Sequence, residues 1–196
     1  MNNEAFSKLK PEKQKRILNA AFNEFSLNTF DKVSVFQIAK NANISRASFY
    51  CYFEDKKDVY FYLLSKFKDE LFGSIANTEE NYDPFDISLK TFSVLAECKG
   101  TDMQPFIEKL LINMNPSAQN IFVPTVKMTD KAKQKIDFSK YPSVSGNEFV
   151  TLFDMLFYGL SRKLTYYYQN NISREQINKE FEKIIYYALH GVLREN

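Results

Sequence analysis

Apolar residues recur at helical spacing along most of this chain. Ile17, Ala21 and Phe25 stand at i, i+4 and i+8, with Leu18 and Phe22 widening the stripe, which predicts an amphipathic helix from Pro11 to near Asn28. Proline suits a first helical position because its missing N–H would find no partner there anyway, and Glu12 complements the positive end of the helix dipole. Asn28-Thr29 reads as a turn, since Asn tolerates a left-handed conformation, and Phe30 then returns to the core. Ser34 and Gln37 have the spacing of a capping box, and Val35, Ile38 and Ala39 follow at core positions of a helix barely two turns long. Ala42-Asn43-Ile44-Ser45 predicts a tight turn, with Asn43 at positive φ, Ile44 pointing inward and Ser45 capping a third short helix. Phe49 and Phe53 anchor that helix, and its other face carries Arg46, Ala47, Ser48, Tyr50 and Tyr52, all small or able to hydrogen-bond. Two short helices joined by a tight turn, the second bare and polar outside, form helix-turn-helix patterning.

Asp55 launches a fourth helix whose stripe of Tyr60, Leu63, Leu64, Phe67, Leu71 and Ile75 keeps period, with Gly73 weakening its end. After a polar connection over 77–83, Pro84 opens a helix to about Lys99, Gly100-Thr101 breaks it, and Pro105 starts another through Asn113. Pro116, Pro124 and Pro142 interrupt residues 114–147, where short helices are expected. A long helix over 148–169 carries Phe149, Leu152, Phe153, Leu156, Phe157, Leu160 and Leu164 on one side and Val150, Met155, Tyr158 and Tyr166 on the other. Ser173 and Gln176 form a second capping box, followed by Ile177, Phe181, Ile184, Ile185, Ala188, Leu189 and Val192, with Tyr186 and Tyr187 outside the stripe. Helices apolar on more than one face need cover on two sides. The second cover is either the same pair from another copy, a two-fold four-helix interface through Phe153, Phe157, Leu160, Phe181, Ile185 and Leu189, or the rest of a single monomer.

Composition narrows the class. Five Gly and 6 Pro against 19 Phe and 12 Tyr leave too few turn formers for a many-stranded sandwich or barrel, so an all-α fold is favoured. No apolar run exceeds six residues, far short of the ~20 that span a bilayer, and the opening residues lack a signal-peptide apolar region, which implies a cytoplasmic protein. Cys51, Cys98 and His190 are too few for a zinc cluster or a disulfide framework. The net charge of +2 conceals an asymmetry: residues 1–57 carry ten Lys/Arg against six Asp/Glu, and residues 58–196 carry 16 against 18. A basic head suits contact with nucleic acid, and a solvated basic face is the alternative reading.

The segment from Ser34 to Asp58 resembles the helix-turn-helix of the tetracycline-repressor (TetR) family. Ile38-Ala39, Ala42-Asn43-Ile44-Ser45, Phe49-Tyr50, Phe53 and Lys56 fall on matching positions, Ile17 to Phe25 matches the family's first helix, and the likeness extends over about residues 11–71. The resemblance implies a three-helix DNA-binding domain over 1–57, with the helix-turn-helix at 34–53, and a helical effector-binding and dimerisation domain over 58–196. It further implies that Ser45 to Tyr52 is the recognition helix of the major groove. Arg46, Ala47 and Ser48 would face base edges; Tyr50, Tyr52 and Lys56, with Ser34 or its backbone N–H, would hold phosphates. The family usually has Gly at the positions of Thr29, Asn43 and Ala47, so base preference does not carry over, and Ala47 adds a methyl group suited to a thymine methyl.

Cys51 and Cys98 are expected to be packing residues, and His190 to pack or hydrogen-bond at the dimer seam. No GxGxxG, P-loop, HExxH or GxSxG motif occurs, so no enzymatic activity and no cofactor is expected. The leading expectation is a homodimeric, ligand-responsive transcriptional repressor on a palindromic operator. An apolar or amphipathic small molecule would act on it by shifting the fourth helix. An activator, an architectural DNA-binding protein, or a helical enzyme or carrier without DNA binding remain the alternatives.

Overall fold

The computed structural model describes residues 4–76, 83–113, 137, 139–141 and 146–190. Among them are helices and no strands, in the order α1 (Glu4–Ser7), α2 (Pro11–Leu27), a 3-10 turn (Phe30–Lys32), α3 (Val35–Asn41), α4 (Arg46–Tyr52), α5 (Lys56–Ala76), α6 (Pro84–Glu97), α7 (Gln104–Asn113), α8 (Gly146–Gln169) and α9 (Arg174–His190). The all-α expectation holds, and the short helices expected within 114–147 lie outside the described residues. By internal contacts the chain divides into two compact units, Met1–Glu70 with Met103–Lys127, and Leu71–Asp102 with Met128–Asn196.

In the first unit α2 begins on Pro11 and buries Ile17, Ala20, Ala21 and Phe25. It ends on Asn28, which is extended at φ −123 rather than left-handed. The Asn28 backbone N–H and side-chain amide both donate to the Glu24 carbonyl at 3.2 Å, so the amide does the capping that a left-handed residue would otherwise do. Phe30 in the 3-10 turn stands 6.1 Å from Phe25 and 5.3 Å from Tyr60, centroid to centroid. The turn between α3 and α4 forms as its sequence predicts. Asn43 has φ 51, and the Asn43 and Ile44 N–H groups donate back to the Lys40 and Ala39 carbonyls at 3.1 and 3.0 Å, the two bonds of a Schellman motif. Arg16 Nε adds a bond to the Ala42 carbonyl at 2.7 Å, tying the turn to α2.

Asp55 and Asp58 together start α5: Asp55 Oδ1 accepts from the Asp58 N–H at 2.8 Å, and Asp58 Oδ2 accepts from the Glu54 N–H at 3.0 Å. Residues up to Glu70 and helix α7 join this first unit, a division that falls elsewhere than the boundary expected after residue 57. The reason is aromatic packing: Phe106 of α7 is buried with its ring 4.8 Å from Phe22 of α2 and 5.9 Å from Phe67 of α5.

In the second unit α6, α8 and α9 share a core centred on Phe92, whose ring lies 5.2 Å from Phe157 and 5.8 Å from Phe181. Asp83 caps α6, accepting from the Phe85 N–H at 2.9 Å, and Tyr141 OH donates to the same carboxylate at 2.8 Å. Lys99 Nζ donates to the Tyr167 and Asn170 carbonyls at the end of α8 at 2.5 and 2.8 Å. Ser173 and Gln176 complete both halves of their capping box at 2.8 and 3.1 Å.

This core takes up part of the expected seam within a single chain. Leu160, Phe181 and Ile185, expected at a seam between copies, are buried within one chain, and half-buried Phe157 packs on Phe92. Within one chain helix α6 covers one side of this helix pair. Of the other expected seam residues, Leu189 is 39% exposed and the Phe153 side chain lies outside the described residues. Among the described residues, the large apolar side chains left exposed on this pair are Met155 (70%), Tyr158 and Tyr166 on α8 and Tyr186, Tyr187 and Leu189 on α9.

Candidate nucleic-acid interface

Helix α4 is mounted from below by two aromatic rings. Phe49 and Phe53 are fully buried and 5.6 Å apart, and truncating a buried Phe of this kind costs about 3–5 kcal/mol, so the pair fixes the helix's inward face. The outward face is exposed at Ser45, Arg46, Ala47, Tyr50 and Cys51. Ser45 caps the helix, its Oγ accepting the Ser48 N–H at 3.0 Å, with the two hydroxyls 2.8 Å apart. Arg46 extends along the helix so that Nη2 donates to Tyr50 OH at 3.4 Å and the guanidinium lies 5.8 Å from the Tyr50 ring centroid. That contact pre-orders a long side chain which would otherwise lose rotamer freedom on binding. Ala47 is exposed on the same helix and carries only a methyl group.

The expected phosphate contacts separate into different situations. Tyr50 is 46% exposed on the same face as Arg46. Tyr52 points toward α1 and α2, where its hydroxyl accepts from Lys13 Nζ at 3.0 Å. Lys56 Nζ already donates to the Asp31 and Val33 carbonyls at 2.9 and 3.3 Å and sits 5.1 Å from the Phe30 ring centroid, which leaves one of three ammonium N–H groups for another acceptor. Ser34 caps α3 with its Oγ, 3.4 Å from the Gln37 nitrogen, and its own N–H donates to Glu24 Oε1 at 3.0 Å. That N–H is therefore occupied by a carboxylate, not offered to a phosphate.

Glu24, Arg16 and Lys13 are the structural residues that local pattern reasoning did not single out. Each acts on a partner ten or more positions away, and no i, i+3 or i+4 signal marks such a pair. Cys51 is exposed, and Cys98 is half-buried with its thiol pushed above the usual range by burial and by the adjacent Glu97 carboxylate. His190 is exposed, its ring 4.7 Å from that of Tyr186. Among the described residues no group of His, Cys, Asp and Glu side chains could hold a metal, and no helix is long and apolar enough to cross a membrane.

Comparison with known proteins agrees with this geometry. The family model described as "Bacterial regulatory proteins, tetR family" matches residues 17–63, and the one described as "Tetracyclin repressor-like, C-terminal domain" matches residues 90–192, more than half of the chain. The chain belongs to the TetR family. Its first matched segment covers the helix-turn-helix, and the second runs from within α6 past the end of α9. An uncharacterised helix-turn-helix-type transcriptional regulator of Bacillus subtilis, YdgC, is 41% identical over 56 residues, 29% of each chain. The match thus spans less than a third of that relative. A TetR-like transcriptional regulator of Rhodococcus shares the fold with a TM-score of 0.61 at 14% identity, over 94% of this chain and 99% of its own. FadR of Thermus thermophilus, a TetR-family repressor solved in complex with lauroyl-CoA, has a TM-score of 0.54 at 23% identity, over 93% of this chain and 96% of its own.

Proposed function

We propose that this TetR-family chain is a homodimeric transcriptional repressor that inserts α4 into the major groove of a palindromic DNA operator. The observation that carries the reading is the outer face of α4, where an arginine pre-ordered on a tyrosine flanks an alanine, above two buried phenylalanines that hold the helix rigid. Arg46 has the bidentate geometry that reads the O6 and N7 acceptors of guanine, Ala47 suits a thymine methyl, and Ser45, Ser48 and Tyr50 donate to base edges or phosphates. The two copies join through the exposed Met155, Tyr158, Tyr166, Tyr186 and Leu189 of α8 and α9, a face that a single chain leaves in water.

The effector is an apolar or amphipathic small molecule taken up by the second unit. Its amphipathic class is supported by the lauroyl-CoA held by the Thermus thermophilus protein of the same fold. The continuous helix α5, which runs from the first unit into the second, is the element through which it acts. By linkage such a ligand weakens operator binding only as far as it prefers the free dimer to the bound one, typically about 1–3 kcal/mol.

Selection of bound duplexes from a random-sequence pool tests the reading. The parent should enrich an inverted repeat, and Arg46→Ala should enrich the same repeat with preference relaxed at one or two positions per half-site, each worth about 1–3 kcal/mol. Enrichment of no motif by the parent refutes the proposal.

A further inference from the structure

Half of the ten basic side chains in residues 1–57 lie in one short stretch, as Lys8, Lys10, Lys13, Lys15 and Arg16, against only Glu4 and Glu12. That stretch is docked on the helix-turn-helix. Phe6 of α1 is fully buried, with its ring centroid 4.9 Å from Phe53, 5.2 Å from Tyr62 and 6.3 Å from Tyr52. Gln14 Nε2 of α2 donates to the Ser7 and Leu9 carbonyls at 3.1 and 2.9 Å, which fixes the link between α1 and α2. The start of this basic stretch, with α1 and the link to α2, is thereby held against the residues at the C-terminal end of α4.

One of the basic side chains touches α4 directly. Lys13 Nζ donates to Tyr52 OH at 3.0 Å and lies 5.4 Å from the ring centroid. An ammonium donating to a phenol makes the phenolic O–H a better donor and keeps two N–H groups of its own. The pair therefore presents several donors and one positive charge at one point, the chemistry that receives a phosphodiester oxygen. Lys8 bonds Glu4 at 2.5 Å, but that pair is 71% and 64% exposed, so exchanging the carboxylate for a phosphate costs little.

We propose that the arm spanning Glu4 to Lys13 is a second phosphate-binding surface for duplex DNA. In it Lys13 and Tyr52 grip one phosphate jointly, Lys8 and Lys10 hold neighbouring ones, and Phe6 is the positioning residue. The proposal rests on the DNA-binding reading above. It adds phosphate contacts from α1 and α2 that meet the recognition helix only at its last residue, Tyr52, and carry no base preference.

The test is fluorescence anisotropy with two short duplexes, one of mixed sequence and one carrying the selected repeat, across a series of salt concentrations. Each phosphate contact adds about 0.9 to the slope of log affinity against log salt, equivalent to about fivefold in affinity at 0.15 M salt. Lys13→Ala should lower slope and affinity by about that much on both duplexes, Lys13→Arg should restore both, and Lys8→Ala with Lys10→Ala should lower the slope by up to two such steps. Phe6→Leu keeps every charge and a buried apolar group but loosens the ring contacts, and should lower the slope without removing a lysine. Circular dichroism and thermal unfolding establish that each variant is folded. Folded Lys13→Ala and Lys8→Ala/Lys10→Ala proteins with the parent's slope overturn the arm while leaving the recognition helix intact. A parent that binds neither duplex refutes the DNA-binding reading itself, and the arm with it.

Discussion

Glu24→Ala removes a side chain that reaches from α2 to the N-cap of α3. Glu24 is only 8% exposed, and its Oε1 accepts the Ser34 N–H at 3.0 Å. Without it that donor, half-buried in the native packing, has lost its acceptor. A hydrogen bond to a charged acceptor contributes about 1.5–3 kcal/mol, so a loss of about 2 kcal/mol is expected for Glu24→Ala. Glu24→Gln keeps an acceptor of similar reach and should cost roughly 1 kcal/mol less, the difference between a charged and a neutral hydrogen bond. For a chain of this size 1 kcal/mol moves Tm by about 2–4 °C, which places Glu24→Ala roughly 4–8 °C below the parent. Thermal and urea unfolding at one fixed protein concentration read this out, because association shifts apparent stability. Ser34→Ala, which removes the hydroxyl cap on the Gln37 N–H, should cost about 0.5–2 kcal/mol by itself. In the double variant the costs should sum to less than their total, since both bonds hold the same turn. A Glu24→Ala protein that unfolds with the parent, or a Glu24→Gln protein as damaged as Glu24→Ala, refutes the reasoning.

Three further outcomes follow from the same geometry. Lys56→Ala should lower the salt slope of DNA binding by about one unit and also lower Tm, because the ammonium holds the Asp31 and Val33 carbonyls; an unchanged Tm contradicts the structural part. Met155→Arg combined with Tyr158→Arg should give a folded monomer by light scattering, whereas Ile185→Arg, which buries a charge, should unfold the second unit; a double variant that stays dimeric removes this face from the interface. Burial pushes the Asp83 carboxyl up, but hydrogen bonds from Tyr141 OH, the Phe85 and Asp86 N–H groups and Lys140 outweigh it and hold the group below the ordinary carboxylate value. A depressed folded value adds stability that is complete above about pH 4 and is lost as pH falls through the lowered value, so the gap between parent and Asp83→Asn in acid unfolding should close below about pH 4; a constant gap contradicts the coupling.

What the sequence determined by itself is local. Pro11, the Ser45 cap, the Ser173–Gln176 box and the Asn43 turn all act through partners within a few positions, so their residue types and spacing suffice to specify them. The helix-turn-helix is built from such signals, and it is the part of the protein most plainly legible in the chain. Tertiary structure decided whatever depended on which surfaces meet. The Ser34–Gln37 box formed only one of its two bonds because the Glu24 carboxylate, ten residues away, took the Ser34 N–H. Helix α7 joined the first unit through Phe106 and Phe22, two phenylalanines with nothing local to link them. The apolar faces of α8 and α9 were equally evident in sequence, but only the arrival of α6, with Phe92 between Phe157 and Phe181, selected which face is core and which stays in water. Periodicity records that a face is apolar; what covers it is set by long-range packing, which no window of sequence contains.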